Sequence, residues 1–105
     1  MYGLIGKMLA VPGRRVELLE ILMDGNDSMP GCLSYIVAID PGNDDAIWVT
    51  EVWDNKGSHA GSLELPQVQA MIAKARPLIA GFGERFETEP LGGIGLDPPQ
   101  LREQP

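Results

Sequence analysis

Hydrophobic and polar residues recur along the chain with two different periods, which predicts four strands and two helical regions. Val16, Leu19 and Leu22 are spaced as on one face of a helix. Two later runs are rich in β-branched and aromatic residues, and the turn sequence Asp40-Pro-Gly-Asn-Asp-Asp45 separates them, which is typical of a hairpin. We predict strands at 2–11, 32–39, 46–53 and 81–89, and helical segments at 14–24, at 56–63 and after Pro66.

This order of elements, βαββαβ, is that of the ferredoxin-like α+β fold. It predicts a four-stranded antiparallel sheet with both helical regions on one face, because right-handed crossovers place them there. We expect residues 1–90 to form this domain. Residues 91–105 form a C-terminal tail, and its leucine and isoleucine side chains are expected to pack along a partner subunit.

The second face of the sheet is also predicted to be covered. We take the strands at 32–39 and 46–53 as the central pair, and both carry apolar residues on both faces. An antiparallel sheet with one face in water has polar residues at alternate positions instead. The simplest cover is a second copy of the same sheet, so we predict a homodimer. In the first of these strands, one side presents Leu33, Tyr35, Val37 and Ile39, and the other presents Ile36 and Ala38.

Composition narrows the class of protein. Fifteen acidic residues against eight basic ones give a net charge of -7, which argues against a basic nucleic-acid-binding face. No apolar run approaches the roughly 20 residues that span a bilayer. Residues 1–11 make a poor signal peptide, so a soluble cytoplasmic protein is expected. The single cysteine, Cys32, excludes an internal disulfide and a cysteine-rich metal site.

Motifs along the chain resemble those of the antibiotic biosynthesis monooxygenase (ABM) family. In that family a strand ends in Glu-x-Trp, and the short helix after it carries a histidine with an apolar residue four places on. The resemblance covers roughly residues 1–90, and the order and spacing of the motifs carry it. The matching residues are Glu51, Trp53, His59 and Leu63, together with Pro30-Gly-Cys at the second strand and Pro12-Gly13 before the first helix.

The resemblance implies a dimeric α+β barrel, in which two ferredoxin-like sheets pack face to face. It also implies a pocket between the sheet and the helices of each protomer. The implied chemistry is oxidation of hydroxylated aromatics, such as anthrones and quinols, by dioxygen without metal, flavin or haem. Anthrone-oxidising members carry an asparagine where this chain has Val49 and a helix tyrosine at the position of His59, so their residue set is not reproduced here.

Three residues are candidates for catalysis. His59 is the only histidine, the residue type most often used for proton transfer near neutral pH. Trp53 could line an aromatic pocket and donate its indole N–H, or it could be an ordinary core residue. Glu51 lies within a strand that is predicted to be buried, where a carboxylate needs a partner. Glu51 is therefore expected either to act as a catalytic base or to form a structural ion pair with Arg76 or Lys74.

Further residues are predicted to contact the substrate. Tyr35 could hydrogen-bond a substrate oxygen, although strand packing also accounts for it. Arg76 could stabilise an oxyanion, or simply suit the C-terminal end of its helix. The remaining predicted contacts are Leu4, Val49 and Met71, which we expect to set the shape of the pocket.

Three classes of function therefore remain open. The first is a cofactor-free monooxygenase acting on a small phenol or quinol, and the second is a non-catalytic dimeric module that binds a small hydrophobic ligand. The third is an isomerase or lyase-like barrel protein that uses Glu51 or His59 as a base. Haem degradation ranks lower, because His59 is the only candidate axial ligand and the first strand contains no asparagine.

Overall fold

A four-stranded antiparallel sheet, packed on one face by three helices, forms the framework of the protein. The computed structural model describes residues 1–24 and 29–96. The sheet order is β2-β3-β1-β4, which is that of the ferredoxin-like fold predicted from the sequence. The elements are β1 (Tyr2–Ala10), α1 (Arg15–Met23), β2 (Cys32–Ile39), β3 (Ala46–Trp53), α2 (Lys56–Ser62), α3 (Pro66–Ala75), a 3₁₀ turn (Arg76–Leu78) and β4 (Ile79–Thr88).

Two details of the predicted sheet were wrong. The central strands are β3 and β1, whereas β2 lies at an edge. In addition, a register shift between Cys32 and Ser34 interrupts the alternation at Leu33, which is exposed and does not continue the face of Tyr35. The βαβ crossovers insert β1 between β3 and β4, so β3 pairs with β1 on one side and with β2 on the other. A strand such as β2 can therefore be apolar and pair with β3 in a hairpin and still lie at the edge of the sheet.

The main core lies between the helices and the sheet. Leu18 and Leu22 of α1 are fully buried and pack against Ile47 and Val49 of β3. A smaller cluster lies at the other end of the same face, where Trp53 packs with Tyr2, Leu4, Met29 and Cys32. The face of the sheet that the helices cover therefore holds two separate apolar clusters.

Local signals in the sequence explain where α2 begins. Asn55 caps the helix by accepting a hydrogen bond from the Ser58 backbone N–H at 2.8 Å. Gly31 precedes β2 with a φ of 84°, and an added Cβ would lie 2.6 Å from the side chain of Ser58. This close approach needs glycine, and it holds the start of β2 against the helix that carries His59.

The sheet face that points away from the helices is largely apolar, as predicted. Ile36 of β2 is 57% exposed and Phe86 of β4 is 51% exposed. Trp48 is half-buried on β3, a strand that lies between those two in the sheet. Lys7 also lies on this face, and its Nζ is 3.9 Å from a carboxylate oxygen of Asp40 and 3.9 Å from one of Glu84. Such an apolar face on a small protein is typical of a contact surface.

The predicted tail divides into two parts. Residues 91–96 leave the sheet and form a turn, in which the Leu96 backbone N–H donates to the Gly93 carbonyl at 3.0 Å and Ile94 is fully exposed. Leu101 and the rest of 97–105 lie outside the described residues. In the part of the chain that the structure describes, no helix is both long and apolar enough to cross a membrane.

Candidate active site

A cavity of about 520 Å³ lies between the sheet and the helices α2 and α3. Its volume is in the range of pockets that bind small organic molecules. Most of its walls are apolar, with a small set of polar groups among them. Six residues that the sequence predicted for the site line it: Tyr35, Glu51, Trp53, His59, Met71 and Arg76.

Glu51 contacts two other polar residues that line this cavity. Its Oε1 accepts a hydrogen bond from the Trp53 indole N–H at 3.0 Å and lies 3.9 Å from His59 Nε2. Burial raises the pKa of Glu51, while the Trp53 hydrogen bond and the charges of His59 and Arg85 oppose that rise. The carboxylate therefore depends on a few specific partners to stay ionised.

The alternative prediction for Glu51, an ion pair with Arg76 or Lys74, was wrong. Neither cation lies within 4 Å of its carboxylate, and the basic side chain that does is His59. Arg76 lines the cavity near the end of α3, and Lys74 is exposed on that helix. Helical spacing located both residues near the sheet, but it could not show which way each long side chain turns.

The His59 ring is held by aromatic neighbours on two sides. It meets Trp53 edge-on, with ring centroids 5.5 Å apart, and it packs at a tilt against Tyr2 at 5.6 Å. One turn later Ser62, buried, donates its hydroxyl to the His59 carbonyl at 2.6 Å. The imidazole is thereby directed toward Glu51 at the cavity wall.

A second polar network supports this arrangement from outside the cavity. The Tyr2 hydroxyl donates to Glu87 at 2.6 Å, and Lys56 Nζ lies 3.4 Å from the same carboxylate oxygen. The hydrogen bond to Glu87 raises the pKa of Tyr2, and the same bond lowers the pKa of Glu87. Tyr2 thus stays a neutral donor while its ring packs against His59.

Tyr35 faces the cavity from β2, opposite Glu51 in the strand register. Burial raises the pKa of its hydroxyl far above the ordinary value, and the negative charge of Glu51 adds to the rise. The hydroxyl is therefore protonated at any physiological pH. It can donate a hydrogen bond to a ligand oxygen.

Two predicted contact residues, Leu4 and Val49, do not line the main cavity. Both are buried, and they line a smaller chamber of about 240 Å³ on the same face of the sheet. Val49 is also part of the main core. It therefore gives this site an apolar wall without a polar group.

Sequence reasoning missed several residues of the site. Met8 and Phe82 line both the main cavity and the smaller chamber, and Gly6 lines the chamber alone. The alternation along β1 could have found Gly6 and Met8, because they share a face with Leu4. Phe82 could not be found this way, since β4 shifts register against β1 between Gly6 and Met8.

Among residues 1–24 and 29–96, no three histidine, cysteine, aspartate or glutamate side chains come together in a way that could hold a metal ion. Cys32 is half-buried near Glu51, and burial raises the pKa of its thiol. A raised thiol pKa is characteristic of an unreactive cysteine.

Glu51→Gln is expected to gain stability relative to the wild type as the pH rises from about 4 to about 7. Because burial raises the pKa of Glu51, the folded protein binds this proton more tightly than the unfolded chain does. The stability that the protonated carboxyl contributes is complete below the unfolded pKa and is lost as the pH rises through the folded pKa. Thermal unfolding midpoints of both proteins across this range measure the effect.

Glu20→Gln is the matched control, since Glu20 is an exposed glutamate on α1. Its difference from the wild type should change much less with pH. A difference between the wild type and Glu51→Gln that stays constant across the range would contradict the prediction.

Known proteins resemble this chain in sequence and in structure. The family model described as antibiotic biosynthesis monooxygenase matches residues 1–74. A crystal structure from Chloroflexus aurantiacus J-10-fl, described as an antibiotic biosynthesis monooxygenase, is 62% identical, with a TM-score of 0.84 over 88% of this chain and 94% of that chain. One from Deinococcus radiodurans, described in the same way, is 26% identical, with a TM-score of 0.72 over 85% and 91%.

More distant structures share the fold alone. One from Bordetella bronchiseptica is 12% identical, with a TM-score of 0.74 over 84% of this chain and 94% of that chain. No protein of curated function matches the chain in sequence.

Proposed function

Because the chain belongs to the antibiotic biosynthesis monooxygenase family, we propose that it oxidises a small hydroxylated aromatic, of the quinol or anthrone type, with dioxygen and without a cofactor. The observation that carries this proposal is the Glu51–His59 pair at the wall of an apolar cavity of about 520 Å³. An apolar cavity binds the aromatic rings, and the pair offers a place for a phenolic proton.

The proposed reaction needs no external reductant, because the substrate supplies the electrons. A quinol and dioxygen give a quinone and hydrogen peroxide. An anthrone and dioxygen give an anthraquinone and water, with one oxygen atom entering the ring system. In both cases the first step is removal of a proton from the substrate, which makes the aromatic anion electron-rich enough to reduce dioxygen.

Each polar residue has a role in this proposal. His59 accepts the proton, and Glu51 stabilises the imidazolium that results. Trp53 donates to Glu51 and holds the carboxylate in place. Tyr35, protonated and beside Glu51 on the neighbouring strand, donates to the substrate oxygen as negative charge develops there. Arg76 at the cavity wall adds a positive charge for the same oxyanion.

Oxygen uptake tests the proposal. The protein is mixed with a panel of quinols and anthrones in chelator-treated buffer, and uptake is followed with an oxygen electrode. Uptake above the buffer rate that survives chelation supports a cofactor-free oxygenase. Added catalase should return half of the consumed oxygen for a quinol and none for an anthrone, which identifies the reaction.

No uptake above the buffer rate across the panel would contradict the oxygenase proposal. Proton exchange from a substrate analogue without oxygen uptake would instead identify an isomerase or lyase-like protein that uses the Glu51–His59 pair. Ligand-induced thermal stabilisation with neither activity would identify a non-catalytic binding module.

We also propose that the protein is a homodimer whose two sheets pack through the faces that point away from the helices. The exposed Ile36 and Phe86 and the half-buried Trp48 support this, since all three lie on that face. Ile36→Lys is expected to raise the dissociation constant of the dimer at least about tenfold, because it places an unpaired charge in an apolar contact. Sedimentation equilibrium measures the change.

Val16→Lys is the matched control, because Val16 is exposed on α1, away from the sheet face. It should leave the dissociation constant unchanged. A wild type that sediments as a monomer at all concentrations would contradict the dimer. A truncation at Pro90 that leaves the dissociation constant unchanged would contradict the further prediction that the tail packs on the partner.

A further inference from the structure

The glycines of the two paired strands β1 and β4 differ in what surrounds them. An added Cβ on Gly3 would clash with Thr88 and lie 2.9 Å from Pro90 Cγ, and one on Gly83 would lie 2.8 Å from Lys7 Cδ. Close packing therefore explains these two glycines. By contrast, an added Cβ on Gly6 or Gly81 would meet nothing within 4 Å, and both residues line a cavity.

Gly6 therefore leaves a space in the middle of the sheet that a side chain would otherwise fill. A glycine inside a strand often marks a place where a ligand approaches the backbone closely. The smaller chamber lies over this residue and has a volume of about 240 Å³. It shares Met8, Tyr35, Glu51 and Phe82 with the main cavity, so a ligand bound near Glu51 can extend into it.

Two cations and two carboxylates line the chamber, and they differ in which of them form ion pairs. Lys7 and Glu84 pair with each other at 3.9 Å, and Lys7 packs over Trp48 on the opposite face of the sheet. Arg85, in contrast, is the register partner of Gly6 and shares its face. Among the described residues, no carboxylate lies within 4 Å of its guanidinium, and its neighbours are the Tyr2 hydroxyl and, further away, the Glu87 carboxylate. The charge of Arg85 reaches the site, because it acts to lower the pKa of Glu51.

We propose that the chamber over Gly6 is a subsite for a carboxylate group of the aromatic ligand, with Arg85 as its counter-ion. This inference rests on the proposed function, because it assigns the substrate to the hydroxylated aromatic acids. A guanidinium binds a carboxylate through two parallel hydrogen bonds. Glu51 repels a second carboxylate, so the ligand hydroxyl lies at the Glu51–His59 end and its carboxylate lies at the Arg85 end.

Calorimetric titration of a matched pair of ligands tests the subsite. The probes are 2-naphthol and 6-hydroxy-2-naphthoate at pH 7, where both hydroxyls are neutral and only the second molecule carries a carboxylate. We expect the wild type to bind 6-hydroxy-2-naphthoate about tenfold more tightly, since a charge-assisted hydrogen-bond pair at a partly exposed site has an effect of that order.

Two variants separate the parts of the subsite. Arg85→Gln should abolish the preference and leave the affinity for 2-naphthol unchanged. Gly6→Val should weaken binding of 6-hydroxy-2-naphthoate by a similar factor, because its side chain fills the chamber, and valine suits a strand. Arg14→Gln removes one positive charge at the exposed start of α1 and should keep the preference intact. Thermal unfolding verifies that each variant is folded.

The outcomes distinguish this inference from the proposed function. Equal wild-type affinities for the two probes, or a preference that survives in Arg85→Gln, would overturn the carboxylate subsite and leave the oxygenase proposal standing. Binding of neither probe to the wild type would overturn the subsite together with the aromatic pocket on which the proposed function depends.

Discussion

His59→Ala is expected to lower the rate of substrate-dependent oxygen uptake about 100-fold, because a positioned proton acceptor contributes an effect of that size. The ring of His59 is fixed between Trp53 and Tyr2 and lies 3.9 Å from Glu51. No other described side chain of this cavity is an imidazole with a carboxylate partner. Initial rates at saturating substrate in the oxygen electrode measure the loss.

A double-mutant cycle makes this prediction sharper. Glu51→Gln should also lower the rate, and the double variant should be little slower than His59→Ala alone, since residues that act as a unit are not additive. Lys74→Ala, on the exposed side of α3, is the control and should keep the wild-type rate. A His59→Ala variant with more than about a tenth of the wild-type rate would sink the assignment of His59 as the proton acceptor.

Trp53→Ala is expected to destabilise the folded protein by about 3–5 kcal/mol, a large part of the stability of a domain of this size. Trp53 is 1% exposed and is the largest residue of the cluster with Tyr2 and Leu4. Its loss leaves a cavity and removes the N–H that donates to Glu51. The thermal unfolding midpoint should fall by at least about 10 °C.

Trp53→Phe separates packing from hydrogen bonding. Phenylalanine keeps an aromatic ring at this position but has no N–H, so the loss of stability should be well under half of that in Trp53→Ala. A midpoint for Trp53→Ala within about 3 °C of the wild type would show that the site collapses around the smaller residue, contrary to the prediction.

The sequence by itself determined the elements and part of the site. Periods of two and of about 3.6 residues are local, and they predicted the βαββαβ order and the shared face of Glu51 and Trp53 on β3. The Asn55 cap and the short helix after it placed His59 close to that strand. These relations join residues fewer than ten positions apart, so the pattern around each residue was sufficient to predict them.

Only the tertiary structure decided the rest. The strand order put β2 at an edge. It also brought Tyr2 onto the His59 ring, Glu87 onto the Tyr2 hydroxyl, and Arg85 opposite Gly6. Each of these pairings joins distant parts of the chain through β1, the strand that both crossovers place in the middle of the sheet. Local periodicity shows which face a residue occupies, but which distant strand lies beside it depends on how the whole sheet assembles.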